Sequence, residues 1–164
     1  MFPRDLVAHA ARLVDICRVR GLTVSVAESC TGGLVTAVIT AVPGASNVLE
    51  IGLVTYRDSA KIALLGVPKP LLDRCGAVSP EVAEAMAAGA RARGGTDLGV
   101  ATTGYAGPDT PSDGQPIGRV FIATVRRDRP PVVRQFDFAD PGRERVQLQA
   151  VAEAIALLID AAGP

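Results

Sequence analysis

The chain has 164 residues, 48% hydrophobic and 21% charged, which predicts one compact domain over 1–164 with a sizeable core. Its 17 basic and 17 acidic residues cancel, leaving no electrostatic footprint for nucleic acid or an anionic membrane surface. Three scattered cysteines (Cys17, Cys30 and Cys75) form neither a disulfide framework nor a metal-ligand spacing, and so indicate a reducing, cytoplasmic setting.

The elements follow in chain order. Residues 4–19 place Leu6, Val7, Ala10, Leu13, Val14 and Cys17 at helical spacing, and Gly21 stops that helix. Arg4, Asp5, His9 and Arg12 interrupt the same stretch, so it does not read as a signal peptide, and no run reaches the roughly 20 apolar residues of a membrane span. A strand is predicted at 23–27, a helix over 32–41, a turn at 43–46 and a second strand at 49–56. Asp58 is a candidate cap for a short helix that Gly66 closes, and PKPLLDRCG reads as a loop with at most one helical turn. Ser79 and Pro80 are a cap and first-position pair opening a helix that ends at Gly94 and Gly95. Then come a strand at 98–104, a glycine- and proline-rich loop to 117, strands at 118–126 and 132–138, and a helix over 143–161. The connection RRDRPP is too short for a crossover helix, so the last two strands pair antiparallel. The expected fold is α/β: a three-layer α/β/α sandwich on a mixed, mostly parallel sheet of five or six strands.

Ligands in such sheets bind beyond the carboxyl ends of the parallel strands, and three strand ends here carry unusual residues. The first reads AESCTGG (27–33), the second ends in Thr55 and Tyr56, and the third in TTGYAGP (102–108). Two readings of AESCTGG stand side by side: a capped helix start with glycines for close packing, or an uncovered backbone suited to an anion or a reacting carbonyl. If Ser29 is a nucleophile, something must take its proton. The one histidine, His9, lies among apolar neighbours on the first helix, which leaves no Ser-His-Asp triad. Among the 17 basic residues only Lys61 and Lys69 are lysines. A desolvated lysine can give up its proton whereas arginine cannot. Lys69 sits between two prolines in a predicted loop; Lys61, five residues after Tyr56, is the candidate base. Cys30 is the rival nucleophile, but it points away from Ser29 and suits packing. No Walker A motif, dinucleotide fingerprint or three-ligand metal cluster is present, so no cofactor and no metal are expected.

With those residues in view, the sequence is identified as resembling a known family. AESCTGGL, VTYRDSAK, GAVSPEVAEAMA, TGYAGP and the PIG leading into a strand occur in matching order from about residue 5 to 160. They resemble the CinA C-terminal domain, the family of nicotinamide-nucleotide amidohydrolases. The resemblance implies hydrolysis of the carboxamide of nicotinamide mononucleotide (NMN) to nicotinic acid mononucleotide and ammonia, by a serine nucleophile and without a metal. The family's serine falls on Ser29, its tyrosine on Tyr56 and its lysine on Lys61. Substrate contacts are expected from Thr31, Gly32, Gly33, Thr103, Gly104 and Arg145, with N–H groups at the start of the 32–41 helix holding the oxyanion. A homo-oligomer acting in pyridine nucleotide salvage is expected. The alternative implied by the same family is a non-catalytic nucleotide-binding module with a competence or DNA-damage role. Two departures from the family pattern bear on the ligand loop: Tyr105 replaces a usual aliphatic residue, and TPSDG is poorer in glycine.

Overall fold

The computed structural model describes residues 2–139 and 142–164. Helix α1 (Arg4–Arg20) buries Leu6, Ala10, Leu13, Val14 and Cys17 along one stripe and ends where Gly21 turns left-handed. Strand β1 (Val24–Glu28) is buried at every position, as a strand covered on both faces must be. Helix α2 (Leu34–Thr40) and a 3₁₀ turn (Ala45–Asn47) lead to β2 (Leu49–Val54). Helices α3 (Asp58–Leu65), α4 (Lys69–Cys75) and α5 (Pro80–Gly94) follow, then β3 (Leu98–Gly104), β4 (Arg119–Arg126), β5 (Arg129–Asp137) and α6 (Arg143–Ala162).

The strands form one mixed five-stranded sheet in the order β2-β1-β3-β4-β5. Its four ladders divide evenly: β1 runs parallel to β2 and β3, while β3–β4 and β4–β5 are antiparallel. Helices α1, α2 and α6 cover one face around Val26, Val100 and Ile122; α4 and α5, with the end of α3, cover the other around Ala27, Ala101 and Phe121. This is the three-layer sandwich expected. The segment 69–75 is a full helix rather than a loop. Its Pro70 falls in the first turn, where no N–H partner is required.

Two packing details fix the site. Gly89 of α5 lies against the backbone of Leu65, and a Cβ there would overlap the Leu65 carbonyl, so only glycine lets α3 approach this closely. That approach carries Lys61 inward. The register also sets Glu28 beside Val54 and Thr102, so the carboxyl ends of β1, β2 and β3 meet at one rim. Among the described residues no helix is long and apolar enough to cross a membrane.

Candidate active site

Side chains alternate at the end of β1. Ala27 packs under α5, Glu28 turns toward α2, Ser29 faces α3, and Cys30 joins the core beneath α2 and α6. Ser29 is anchored by its N–H, which donates to the Thr102 carbonyl (3.0 Å). Against it lies Lys61, 1% exposed, whose Nζ is 3.4 Å from Ser29 Oγ. The same Nζ is 3.1 Å from the Thr55 carbonyl and 3.3 Å from that of Tyr56. Burial lowers the pKa of Lys61 below its ordinary 10.5, against the opposing charge of Asp58, whose carboxylate lies 3.6 Å away. As an ammonium Lys61 donates to the two carbonyls and to Ser29 Oγ; once it gives up a proton, two N–H groups still satisfy the carbonyls and the lone pair can face the Ser29 hydroxyl.

The other side of the turn is closed. The Glu28 carboxylate is fully buried and accepts five hydrogen bonds. Oε2 takes the Thr31 hydroxyl (2.7 Å) and the N–H groups of Gly33 and Val35 (both 3.0 Å). Oε1 takes the Thr36 N–H (2.8 Å) and hydroxyl (2.7 Å). The expectation of open N–H groups at the start of α2 is therefore corrected: a side chain from the preceding strand already fills that helix terminus. Gly32 donates to the Ser29 carbonyl and Leu34 to the Thr31 carbonyl. Gly32 and Gly33 serve the chain reversal, with φ of 61° and 101°. Thr31 is buried, its hydroxyl between Glu28 and Thr102. Among the described residues, the N–H groups of Cys30 and Thr31 have no backbone acceptor.

Next to Ser29 in sequence, Cys30 lines a cavity of about 170 Å³ with Tyr56, Gly104, Tyr105, Ala106, Gly107, Asp109 and Arg143; Ser29 and Lys61 are not among its lining residues. Arg143 spans it, donating to the Tyr56 hydroxyl (2.7 Å) and the Gly107 carbonyl (2.6 Å). So Tyr56 meets Lys61 through its carbonyl and Arg143 through its hydroxyl. Among the described residues its hydroxyl makes no hydrogen bond to Lys61 or Ser29. Gly104 lines the cavity, whereas the Thr103 hydroxyl is turned away to the Ala77 carbonyl (2.7 Å). The arginine at the cavity is Arg143; Arg145 is exposed two residues further along α6 and does not line it. The two departures in the ligand loop prove to be partners: the Tyr105 hydroxyl donates to Asp113 (2.7 Å), and burial plus that bond pushes the phenol up to about 12. Cys30 is raised to about 12 by burial, so its thiol stays protonated at neutral pH and is a poor nucleophile. A larger hollow of about 660 Å³ between α1 and the end of α6 lies far from the strand ends and offers no nucleophile.

A family model for the CinA C-terminal domain matches residues 7–162. The chain belongs to the CinA C-terminal domain family. It is 50% identical over 127 residues to a CinA-like protein of Geobacter sulfurreducens, covering 74% of this chain and 31% of that protein. It is 54% identical over 110 residues to a putative competence-damage inducible protein of Symbiobacterium thermophilum, covering 67% of this chain and 26% of that one. The chain thus spans about a third or less of these curated relatives. Among solved structures, it resembles a competence/damage inducible protein from Agrobacterium tumefaciens with a TM-score of 0.94 and 39% identity, covering 98% of this chain and 97% of that one. A counterpart from Klebsiella pneumoniae has a TM-score of 0.91 and 33% identity, covering 94% and 95%.

Two residues of the site escaped the sequence reading. Glu28 was visible as an acid in a polar turn, but its reach around that turn to Thr36 was not. Arg143 had no signal separating it from Arg145, since both open the same helix.

Proposed function

We propose that the protein hydrolyses the carboxamide of NMN, releasing ammonia and nicotinic acid mononucleotide through an acyl-enzyme on Ser29. The observation that carries this reading is the buried Lys61 amine against the Ser29 hydroxyl. A module that only binds nucleotides has no use for an amine desolvated beside a hydroxyl. The names of relatives, which refer to competence and damage, describe no chemistry that would require one either.

Neutral Lys61 takes the Ser29 proton as Oγ forms its bond to the carboxamide carbon. The Cys30 and Thr31 N–H groups are the free donors nearest the nucleophile in sequence, and they take the oxyanion. Such a contact is typically worth about 3 kcal/mol. Protonated Lys61 returns its proton to the departing nitrogen, the C–N bond breaks and ammonia leaves. Water then attacks the ester, giving one proton to Lys61, which passes it to Ser29 Oγ as the acyl bond breaks. Arg143 supplies the charge for the phosphate of the nucleotide, a role the carboxylate-filled helix terminus cannot take.

Incubation of the purified protein with NMN, with ammonia and nicotinic acid mononucleotide both measured, tests the reading. Equal amounts of the two are expected. Binding without ammonia release would leave the nucleotide-binding module instead.

A further inference from the structure

One buried polar group at the strand-end rim has no partner. Thr55, the residue after β2, is fully buried, and among the described residues its hydroxyl is the one buried side-chain oxygen or nitrogen without a hydrogen bond. Folded proteins rarely leave a buried hydroxyl unpaired, because its desolvation is uncompensated. The Thr55 backbone is engaged on both sides: its N–H donates to the Glu28 carbonyl (2.8 Å), and its carbonyl accepts from Lys61 Nζ (3.1 Å). Only the hydroxyl is left over.

The sheet register fixes the direction in which Thr55 faces. Strands β1 and β2 set Ala27 beside Leu53 and Glu28 beside Val54. Ala27 and Leu53 pack into the core under α5. Val54 lies with Glu28 on the α2 side, its Cγ2 3.4 Å from where a Cβ on Gly33 would stand. The Thr55 N–H continues the ladder, so Ser29 and Thr55 are the next pair and return together to the side on which Lys61 lies. Neighbouring strands run about 4.8 Å apart, and a turn about χ1 from one staggered well to another carries one hydroxyl to the other.

Ser29 has a matching need. When Lys61 is an ammonium, Ser29 Oγ accepts from Nζ, and the hydroxyl hydrogen of Ser29 then has no protein acceptor among the described residues. When Lys61 is neutral, Ser29 donates to the amine and that need disappears. A hydrogen without an acceptor and a hydroxyl without a partner thus stand on adjacent strands in one protonation state only.

We propose that Thr55 is a positioning residue for Ser29: its hydroxyl takes the Ser29 hydrogen while Lys61 is an ammonium and releases it when Lys61 loses its proton. Thr55 holds the nucleophile in a resting orientation, and deprotonation of the base turns it toward that base. No covalent bond changes on Ser29 or Thr55; the proton of Lys61 leaves to solvent. The titratable groups acting on Lys61 are Asp58 on its own helix, 3.6 Å away, and Cys30 after β1; none on α5, which packs against α3, is among them. The contact stands on burial and register, whereas its meaning for turnover rests on the proposed function.

The chain has two lysines, so carbon-13 labelling of lysine Cε gives two signals in an NMR pH titration, and Lys69→Arg identifies that of Lys61. Thr55→Val keeps the shape and removes the hydroxyl. Below the midpoint it should raise the proportion of neutral Lys61 about three- to tenfold, as loss of one hydrogen bond from the ammonium form requires. Thr55→Ser keeps the hydroxyl and should titrate like the wild type. In a Ser29→Ala background Thr55→Val should have no effect, because Thr55 acts through Ser29. A Lys61 titration indifferent to Thr55→Val, or shifted equally without Ser29, would overturn the proposal. These titrations need no substrate, so they stand apart from the fate of the deamidase assignment. On NMN, kcat/KM of Thr55→Val should rise by the same factor below the midpoint and equal the wild type on the plateau. A loss at every pH would overturn the resting role.

Discussion

Glu28, the last residue of β1, and Ser29, the next along the chain, face opposite layers and stand in opposite surroundings. On the Glu28 side five hydrogen bonds converge on one buried carboxylate, and the α2 terminus is closed from within. On the Ser29 side the contacts are few and long, 3.4 Å to an amine that burial pushes toward its neutral form. A saturated network holds the turn in place; an unsaturated one leaves groups free to react. Under the proposed mechanism, the polar residues of AESCTGG divide between structure and chemistry by the side of the sheet they face, not by residue type.

That division can be broken at each of its members. The largest effect belongs to Ser29→Ala, which should lower kcat on NMN by about four orders of magnitude or more with the melting temperature nearly unchanged. Activity within tenfold of wild type would remove Ser29 as nucleophile.

Lys61→Arg should cost about 10²–10⁴-fold in kcat, nearly as much as Lys61→Ala, because arginine keeps the charge and loses the base. Steady-state rates of both variants check this. In the wild type kcat/KM should rise with pH and reach half its plateau below 10.5, since the amine must be neutral to act. Stability carries the same sign. The unfolded chain holds the Lys61 proton more tightly than the folded chain, so between the depressed value and 10.5 the wild type gains stability as pH rises. Urea titrations across that window should show the rise in the wild type and lose it in Lys61→Arg.

Glu28→Gln should act mainly on the fold. It replaces one acceptor oxygen with an NH₂ facing hydrogen-bond donors, which costs about 2–3 kcal/mol, or roughly 5–10 °C in a domain of this size. Thermal unfolding checks this, and unchanged stability would mean the network relaxes without its carboxylate.

The smallest effect is at the mouth. Arg143→Ala should raise KM for NMN roughly tenfold, with kcat within a few-fold, as expected for one charged hydrogen bond to a phosphate. Arg145→Ala serves as the comparison and should leave KM within about twofold.

Much of the fold, and the candidates for its site, are legible in the sequence. The alternation of apolar strands and amphipathic helices gave the layers, and the scarcity of lysine among 17 basic residues singled out Lys61. What was not legible depends on side chains reaching across space. Nothing in the order Glu-Ser-Cys-Thr-Gly-Gly says that Glu28 wraps back onto Thr36, eight residues on. Arg143 and Arg145 share a helix start, and only its placement over Gly107 decides which guanidinium enters the cavity. Helix α4 was hidden because Pro68 and Pro70 look like breakers, although Pro70 sits where a helix tolerates it.

Trapping with hydroxylamine tests most directly whether the Ser29 side carries an acyl-enzyme. Added to the wild type turning over NMN, hydroxylamine should compete with water for the ester on Ser29, yielding the hydroxamate of nicotinic acid mononucleotide in proportion to its concentration. Ser29→Ala should yield none above the uncatalysed rate. If the wild type releases only the free acid at every hydroxylamine concentration while ammonia continues to form, water attacks the carboxamide directly, and the serine mechanism is contradicted.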